Sequence, residues 1–89
     1  MKYIINKCYG GFHINSEILD DLGLLDKDDE ELRTNNTLIG LIEKGEAVGS
    51  IYSKPKVVEI PDEATDWELD EYDGFESITY VLDGKLHHI

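Results

Sequence analysis

The sequence predicts a small α+β domain in which two or three short helices pack on one face of a mostly antiparallel sheet. Its 89 residues are the length of a single domain, spanning residues 1–89. Hydrophobic residues make up 40% of the chain, which suffices for one modest core and is too many for a disordered protein. Helix signals follow one N-terminal strand, and strand patterns divided by Asp-Gly pairs fill the second half.

The N-terminal segment predicts one strand and then a short helix. Residues Lys2–Lys7 are rich in β-branched and aromatic side chains, and two adjacent isoleucines indicate burial on both faces. After a loop, Ser16 is suited to be an N-cap and Gly23 to be the residue that follows a helix C-terminus. We therefore expect a helix of about two turns between them.

Two further helices are predicted before the middle of the chain. The acidic run Asp26–Glu31 suits the first turn of a helix, because the helix dipole favours negative charge there. Residues Leu32–Asn36 break that pattern. Asn36 or Thr37 then caps a helix whose apolar residues share one face and which ends at Gly45.

The C-terminal half predicts strands joined by tight turns. The segment Trp67–Tyr72 alternates strictly, with Trp67 and Leu69 facing the core and acidic residues facing water. Asp73-Gly74 is a turn signal, and Asp83-Gly84 predicts a two-residue hairpin. The predicted strands are Ile51–Tyr52, Lys56–Ile60, Trp67–Tyr72, Ser77–Leu82 and a short final strand at Lys85–Leu86.

The composition excludes several classes of function. Twenty acidic residues against 8 basic ones give a net charge of −12, which opposes direct binding to nucleic acid but favours basic protein partners. A single cysteine excludes an internal disulfide framework and a Cys-rich zinc site. No apolar run reaches the roughly 20 residues of a membrane span, and no signal-peptide pattern is present, so a cytoplasmic protein is expected.

Two motifs carry a resemblance to a known family. The segment Ile5–Phe12 reads INKCYGGF, and the later segments Lys56–Asp62 and Trp67–Glu76 read KVVEIPD and WELDEYDGFE. In this order they resemble a family of small uncharacterised proteins carried by bacteriophages and prophages, in which an arginine also tends to stand at the position of Arg33. The resemblance implies a phage accessory product in the cytoplasm of a bacterial host. The chain departs from the family at Asn35-Asn36, where Asp-Pro is common, and at its C-terminal end.

The distribution of acidic residues suggests a binding function. Nine acidic residues and no lysine or arginine lie between Glu59 and Glu76, and Glu68 and Asp70 project from the same face of their strand. Carboxylates held along a strand can imitate a phosphate backbone, although a solvated surface that only keeps the protein in solution explains them too. We expect a non-enzymatic protein that binds and inhibits a host protein with a basic surface, such as a defence nuclease. The predicted partner-binding residues are Asp66, Trp67, Glu68, Asp70, Glu71, Tyr72 and Asp73.

An alternative hypothesis is a protein that sequesters a nucleotide-like small molecule. Backbone N–H groups of Gly10-Gly11 could hold an anion, Tyr9 and Phe12 could stack on a ring, and Arg33, the sole arginine, suits a phosphate. The simpler interpretation of the two glycines is a tight connection that requires an unusual φ angle.

Other chemistry has weaker support in the sequence. Cys8 lacks a recognisable base among His13, His87 and His88, and these histidines do not have metal-ligand spacing. The carboxylates near Asp73-Gly74, namely Glu71, Asp73 and Glu76, fit a solvated turn better than an acid–base pair. We therefore expect no catalytic residue, no metal and no cofactor. A homodimer is a further expectation, because an uncovered sheet edge would allow self-association.

Overall fold

The computed structural model describes all residues, 1–89, and confirms the α+β class. None of its helices has the length and apolar composition needed to cross a bilayer. The elements in chain order are β1 (Lys2–Asn6), α1 (Ser16–Asp21), α2 (Asp29–Arg33), α3 (Asn36–Glu43), β2 (Pro55–Glu59), β3 (Asp66–Tyr72), β4 (Phe75–Leu82) and β5 (Lys85–His88).

The strands form two antiparallel sheets rather than one. A two-stranded sheet pairs β1 with β2, with Ile4 opposite Val57, and a three-stranded sheet has the order β3-β4-β5. The second sheet is a meander of two hairpins, in which Leu69 lies opposite Ile78. The two sheets stack through the side chains of β1, so the fold has three layers.

β1 is the central element because it is buried on both faces, as predicted. Ile4 belongs to a cluster under the helices that includes Leu32 and Leu38. Tyr3 and Ile5 belong to a second cluster, together with Ile60 and Ile78, under the three-stranded sheet. Successive strand residues point to opposite faces. The five-residue β1 therefore contributes side chains to both hydrophobic clusters.

The predicted N-caps of the first and third helices are one or two residues too late, and Asp28 lies within the acidic run that was predicted to begin the second helix. The side chains of Asn15, Asp28 and Asn35 accept hydrogen bonds from the N–H groups of Glu17, Glu31 and Leu38, at 2.8, 2.9 and 3.0 Å. These residues are therefore the N-caps, and Ser16 and Asn36 are the first residues of α1 and α3 instead. The predicted helix ends are confirmed, since Gly23 and Gly45 have φ angles of 71° and 90°.

Two predicted boundaries are wrong. The segment expected to break after Glu31 continues as α2, and Leu32 and Arg33 are both buried. Ile51 and Tyr52 form an exposed turn instead of a strand, because Ser50 and Ser53 hydrogen-bond to each other around them.

Both Asp-Gly pairs make the turns of the meander. Asp73 and Gly74 have φ angles of 53° and 88°, and Asp83 and Gly84 have φ angles of 52° and 75°. Two successive positive φ angles define a type I′ turn, whose twist matches that of paired strands. The hairpin prediction is therefore confirmed, and β4 begins immediately after its turn, at Phe75.

Candidate functional site

The face of the three-stranded sheet that points away from β1, here called the outer face, is not covered by any other element. The side chains that join this sheet to β1, such as Trp67, lie on its opposite face. At the turn end of the outer face, Lys7 and Tyr9 of the loop after β1 lie against Phe75. The strand pairing and the alternation of side chains place ten residues on this face. They are Asp66, Glu68, Asp70 and Tyr72 of β3, Phe75, Ser77, Thr79 and Val81 of β4, and Leu86 and His88 of β5.

Three carboxylates form a row along β3 on the outer face. Side chains two residues apart on a strand are about 6.6–6.8 Å apart, so Asp66, Glu68 and Asp70 are evenly spaced. The hydroxyl of Thr79 donates a hydrogen bond of 2.7 Å to Asp70, and Nδ1 of His88 lies 3.1 Å from the same hydroxyl. None of the ten outer-face residues is a lysine or an arginine.

Apolar groups lie beside this row. Leu86 is 68% exposed and Tyr72 is 78% exposed. A cavity of about 160 Å³ opens between Glu68, Thr79, Val81 and Leu86. Its apolar wall and its acidic rim suit a lysine or arginine side chain, which has an aliphatic stem and a cationic end.

Only part of the predicted binding set shares the outer face. Trp67 lies on the inner face, where its ring packs edge-on against Tyr3 at a centroid distance of 5.0 Å. Glu71 accepts a hydrogen bond of 2.6 Å from the N–H of Gly74 and so stabilises the turn. Asp73 is in that turn. Four of the seven predicted residues therefore share the outer face: Asp66, Glu68, Asp70 and Tyr72.

Glu76 is a buried structural residue that the sequence interpretation placed in a solvated turn. Both of its carboxylate oxygens accept hydrogen bonds from Arg33, each at 2.8 Å, and each side chain is only 6% exposed. The alternation of side chains along β4 could have indicated that Glu76 is buried, because position 76 shares its face with the core residue Ile78.

The Arg33–Glu76 ion pair also closes the free edge of β1. Nη1 of Arg33 donates a hydrogen bond of 3.0 Å to the carbonyl of Ile4, and Glu76 accepts one of 2.7 Å from the N–H of Asn6. The pair thus satisfies backbone groups that a neighbouring strand would otherwise bind. Burial lowers the pKa of Arg33, but the hydrogen bond and charge of Glu76 outweigh it and raise the pKa above its usual value.

These contacts correct the expected role of Arg33. Its guanidinium is buried, is bound to Glu76, and lies 3.9 Å from the centroid of the Phe12 ring. A phosphate could reach it only after the ion pair had opened. No observation in the structure therefore favours the nucleotide hypothesis.

The Gly10-Gly11 loop is a tight connection, as the simpler interpretation predicts. Gly11 has a φ angle of 90°, and a side chain at Gly10 would overlap the backbone of Tyr52. The amide of Asn6 donates hydrogen bonds of 2.6 and 2.7 Å to the carbonyls of Cys8 and Gly74, which fixes the loop against the hairpin turn. Tyr9 is 66% exposed, and its ring lies 5.2 Å from that of Phe75.

No three His, Cys, Asp or Glu side chains lie close enough together to hold a metal ion. Cys8 is a free, half-buried cysteine. Comparison of the chain with protein-family models, with curated proteins and with solved structures finds no match. The resemblance to phage and prophage proteins therefore stays a prediction.

Proposed function

We propose that this protein is a non-enzymatic, phage-type accessory protein that binds a basic surface of a host protein through its outer face and inhibits that protein. The observation that carries the proposal is the row of Asp66, Glu68 and Asp70 on a sheet face that no other element covers. The setting that fits the resemblance is the cytoplasm of a bacterial host.

The electrostatics of the outer face favour a basic partner. The strand residues of this face include three carboxylates and no lysine or arginine, and the ammonium group of Lys7 lies at its turn end, over the Phe75 ring. Such a row of like charges steers cationic surfaces toward it and repels nucleic acid. Such association is fast and weakens as salt rises, because the Debye length falls from about 10 Å at 0.1 M to about 3 Å at 1 M.

The geometry of the outer face offers a basic partner fixed carboxylates and apolar contacts, which a surface that only keeps the protein in solution does not need. Asp70 is held by Thr79, and β3 is held by its pairing with β4, so the carboxylates keep a fixed spacing. The cavity beside Leu86 can receive the stem of a lysine or arginine while Glu68 binds its charge. Exposed Tyr72 provides an aromatic contact at the end of the same strand.

Capture from a bacterial lysate at low and high salt tests the proposal. The immobilised protein is expected to retain a basic protein at low salt and to release it at high salt. The Glu68→Lys/Asp70→Lys variant should lose this retention. The control variant Asp20→Lys/Asp21→Lys changes the net charge equally at exposed positions on α1 and should keep it. Equal loss in both variants would mean that only net charge matters and would contradict a specific face.

Inhibition is tested on the purified partner. The partner's activity should fall as this protein is added, with the same salt dependence and the same response to the two variants. A partner that binds the outer face but retains full activity would exclude inhibition. Retention that the Glu68→Lys/Asp70→Lys change leaves intact would exclude the outer face as the binding site.

A further inference from the structure

A second surface lies on the two-stranded sheet, at the open edge of β2. A groove of about 610 Å³, here called the β2 groove, runs between this edge and the chain from the end of α3 to Ser50. Ile42, Val48 and Val57 supply its apolar lining. Its volume lies within the roughly 300–1,000 Å³ typical of ligand-binding sites.

The backbone of β2 presents hydrogen-bonding groups to this groove. β1 is the only neighbour of β2. The carbonyl of Lys54 and the N–H of Ile60 both bond toward β1, at 2.9 and 2.8 Å. Because alternate residues of an antiparallel strand direct their backbone groups to opposite sides, Val57 and Glu59 direct theirs away from β1. The corresponding edge of β1 is closed by Arg33 and Glu76, whereas the edge of β2 is open.

Two lysines at this edge have no partner within the chain. The ion pairs of the protein use Lys2, Lys27, Arg33 and the N-terminus, so Lys54 and Lys56, like Lys7, Lys44 and Lys85, pair with no carboxylate of the chain. Three glutamates also line the groove, but Glu43 is bound by Lys2 and Glu59 by the N-terminus, which leaves Glu46. Lysines on an edge strand oppose pairing with apolar or basic strands. They favour a strand that carries carboxylates at the facing positions.

We propose that the open edge of β2 binds an extended acidic segment of a partner protein, which adds an antiparallel third strand to the β1–β2 sheet. The backbone groups of Val57 and Glu59 form its ladder, and Lys54 and Lys56 pair with its carboxylates. Strand addition of this kind takes affinity from main-chain hydrogen bonds and specificity from alternate side chains. This surface is separate from the outer face, and the inference does not depend on the proposed function.

A synthetic heptapeptide tests the inference on the unaltered protein. The probe is acetyl-Thr-Val-Thr-Val-Glu-Val-Glu-amide, whose two glutamates face Lys56 and Lys54 when its fourth residue lies opposite Val57. Binding is measured by amide NMR titration and by hydrogen exchange. At saturation, exchange of the Val57 and Glu59 amides should slow. N-methylation of the fourth residue removes one ladder donor and should weaken binding about tenfold or more.

A charge-reversed protein provides the second arm of the experiment. Lys54→Glu/Lys56→Glu should weaken peptide binding by about tenfold or more. Lys27→Glu/Lys85→Glu has the same net charge outside the β2 groove and should change binding much less. Equal binding of the N-methylated peptide, no protection of the Val57 amide, or no binding at all would overturn the inference. Protection that instead rises with the concentration of the free protein would assign the edge to a second copy of this chain and would also overturn it.

Discussion

The inner and outer faces of the three-stranded sheet both carry carboxylates, but the fold uses them in opposite ways. On the inner face, Glu76 is buried and bound by Arg33. On the outer face, Glu68 is exposed and has no ion-pair partner. An acidic residue is therefore available to a partner protein only where no group of the chain itself binds its carboxylate.

The position of β1 causes this difference. The inner face packs on β1, whose free edge offers the carbonyl of Ile4 and the N–H of Asn6, and α2 brings Arg33 to the same place. A buried carboxylate needs all of these partners, because an unpaired charge in a core costs several kcal/mol. Glu68 on the outer face is exposed to solvent, so its carboxylate needs no internal partner.

The largest expected effect comes from breaking the inner-face pair. Glu76→Gln leaves Arg33 buried without a counter-charge and should lower the free energy of unfolding by about 3–5 kcal/mol. Urea denaturation measures this change. The matched change Glu68→Gln on the outer face should alter the free energy by less than about 0.5 kcal/mol. Similar losses in both variants would contradict the distinction between the two faces.

A double substitution separates the charge of the pair from its role at the edge of β1. Arg33→Met/Glu76→Leu removes both charges but leaves the carbonyl of Ile4 and the N–H of Asn6 without partners. Each unsatisfied group costs about 1–3 kcal/mol, so the double variant should stay less stable than the parent. Parental stability of this variant in urea denaturation would show that closing the edge contributes nothing.

The next largest effect is expected at Asn6, which joins β1 to the hairpin turn. Its buried side chain donates to the carbonyls of Cys8 and Gly74 and accepts from the N–H of Lys54, at 2.6, 2.7 and 2.8 Å. Asn6→Ala should cost about 2–4 kcal/mol of unfolding free energy, from three hydrogen bonds of about 0.5–1.5 kcal/mol each. Asn36→Ala, at an exposed position, is the control. A loss below 1 kcal/mol in thermal or urea unfolding would exclude this network as a major contribution.

A smaller effect should appear at alkaline pH on the inner face. Burial and the hydrogen bond to Glu30 raise the pKa of Tyr3 above its usual value of 10.0. Above about pH 10 the unfolded chain loses this proton while the folded chain keeps it, so stability falls as pH rises. Tyr3→Phe should reduce the loss of stability between about pH 9 and pH 11, whereas Tyr72→Phe on the outer face should not. The same pH slope in all three proteins would contradict the assignment to Tyr3.

The smallest effect is expected from neutralising the outer face. Glu68→Gln/Asp70→Asn removes two like charges from one strand and retains an acceptor for Thr79. The free energy of unfolding should rise by up to about 0.5 kcal/mol at low salt, and the gain should disappear at high salt because exposed charges are screened. A loss of more than 1 kcal/mol would show that these carboxylates stabilise the fold, as Glu76 does.

Local signals predicted the elements well, because short-range chemistry decides them. The Asp-Gly pairs gave both type I′ turns, and the paired isoleucines gave a strand buried on both faces. The prediction ended α2 before Leu32 because Leu32–Asn36 breaks the local helix pattern, whereas the partner of the buried Arg33, Glu76, lies 43 residues away in the sequence. The predicted N-caps are one residue too late at α1 and one or two residues too late at α3, since neighbouring polar residues have similar capping preferences.

Alternation and turn chemistry are local properties, so the sequence alone predicts the α+β class, the hairpins, and the face of β3 on which Glu68 and Asp70 lie. Long-range packing decides that the strands divide into two sheets and that Glu76 forms a buried ion pair with Arg33. It also decides that one edge of the β1–β2 sheet is closed and the other open. Burial and long-range pairing depend on which distant segments pack together, and a local sequence pattern does not contain that information.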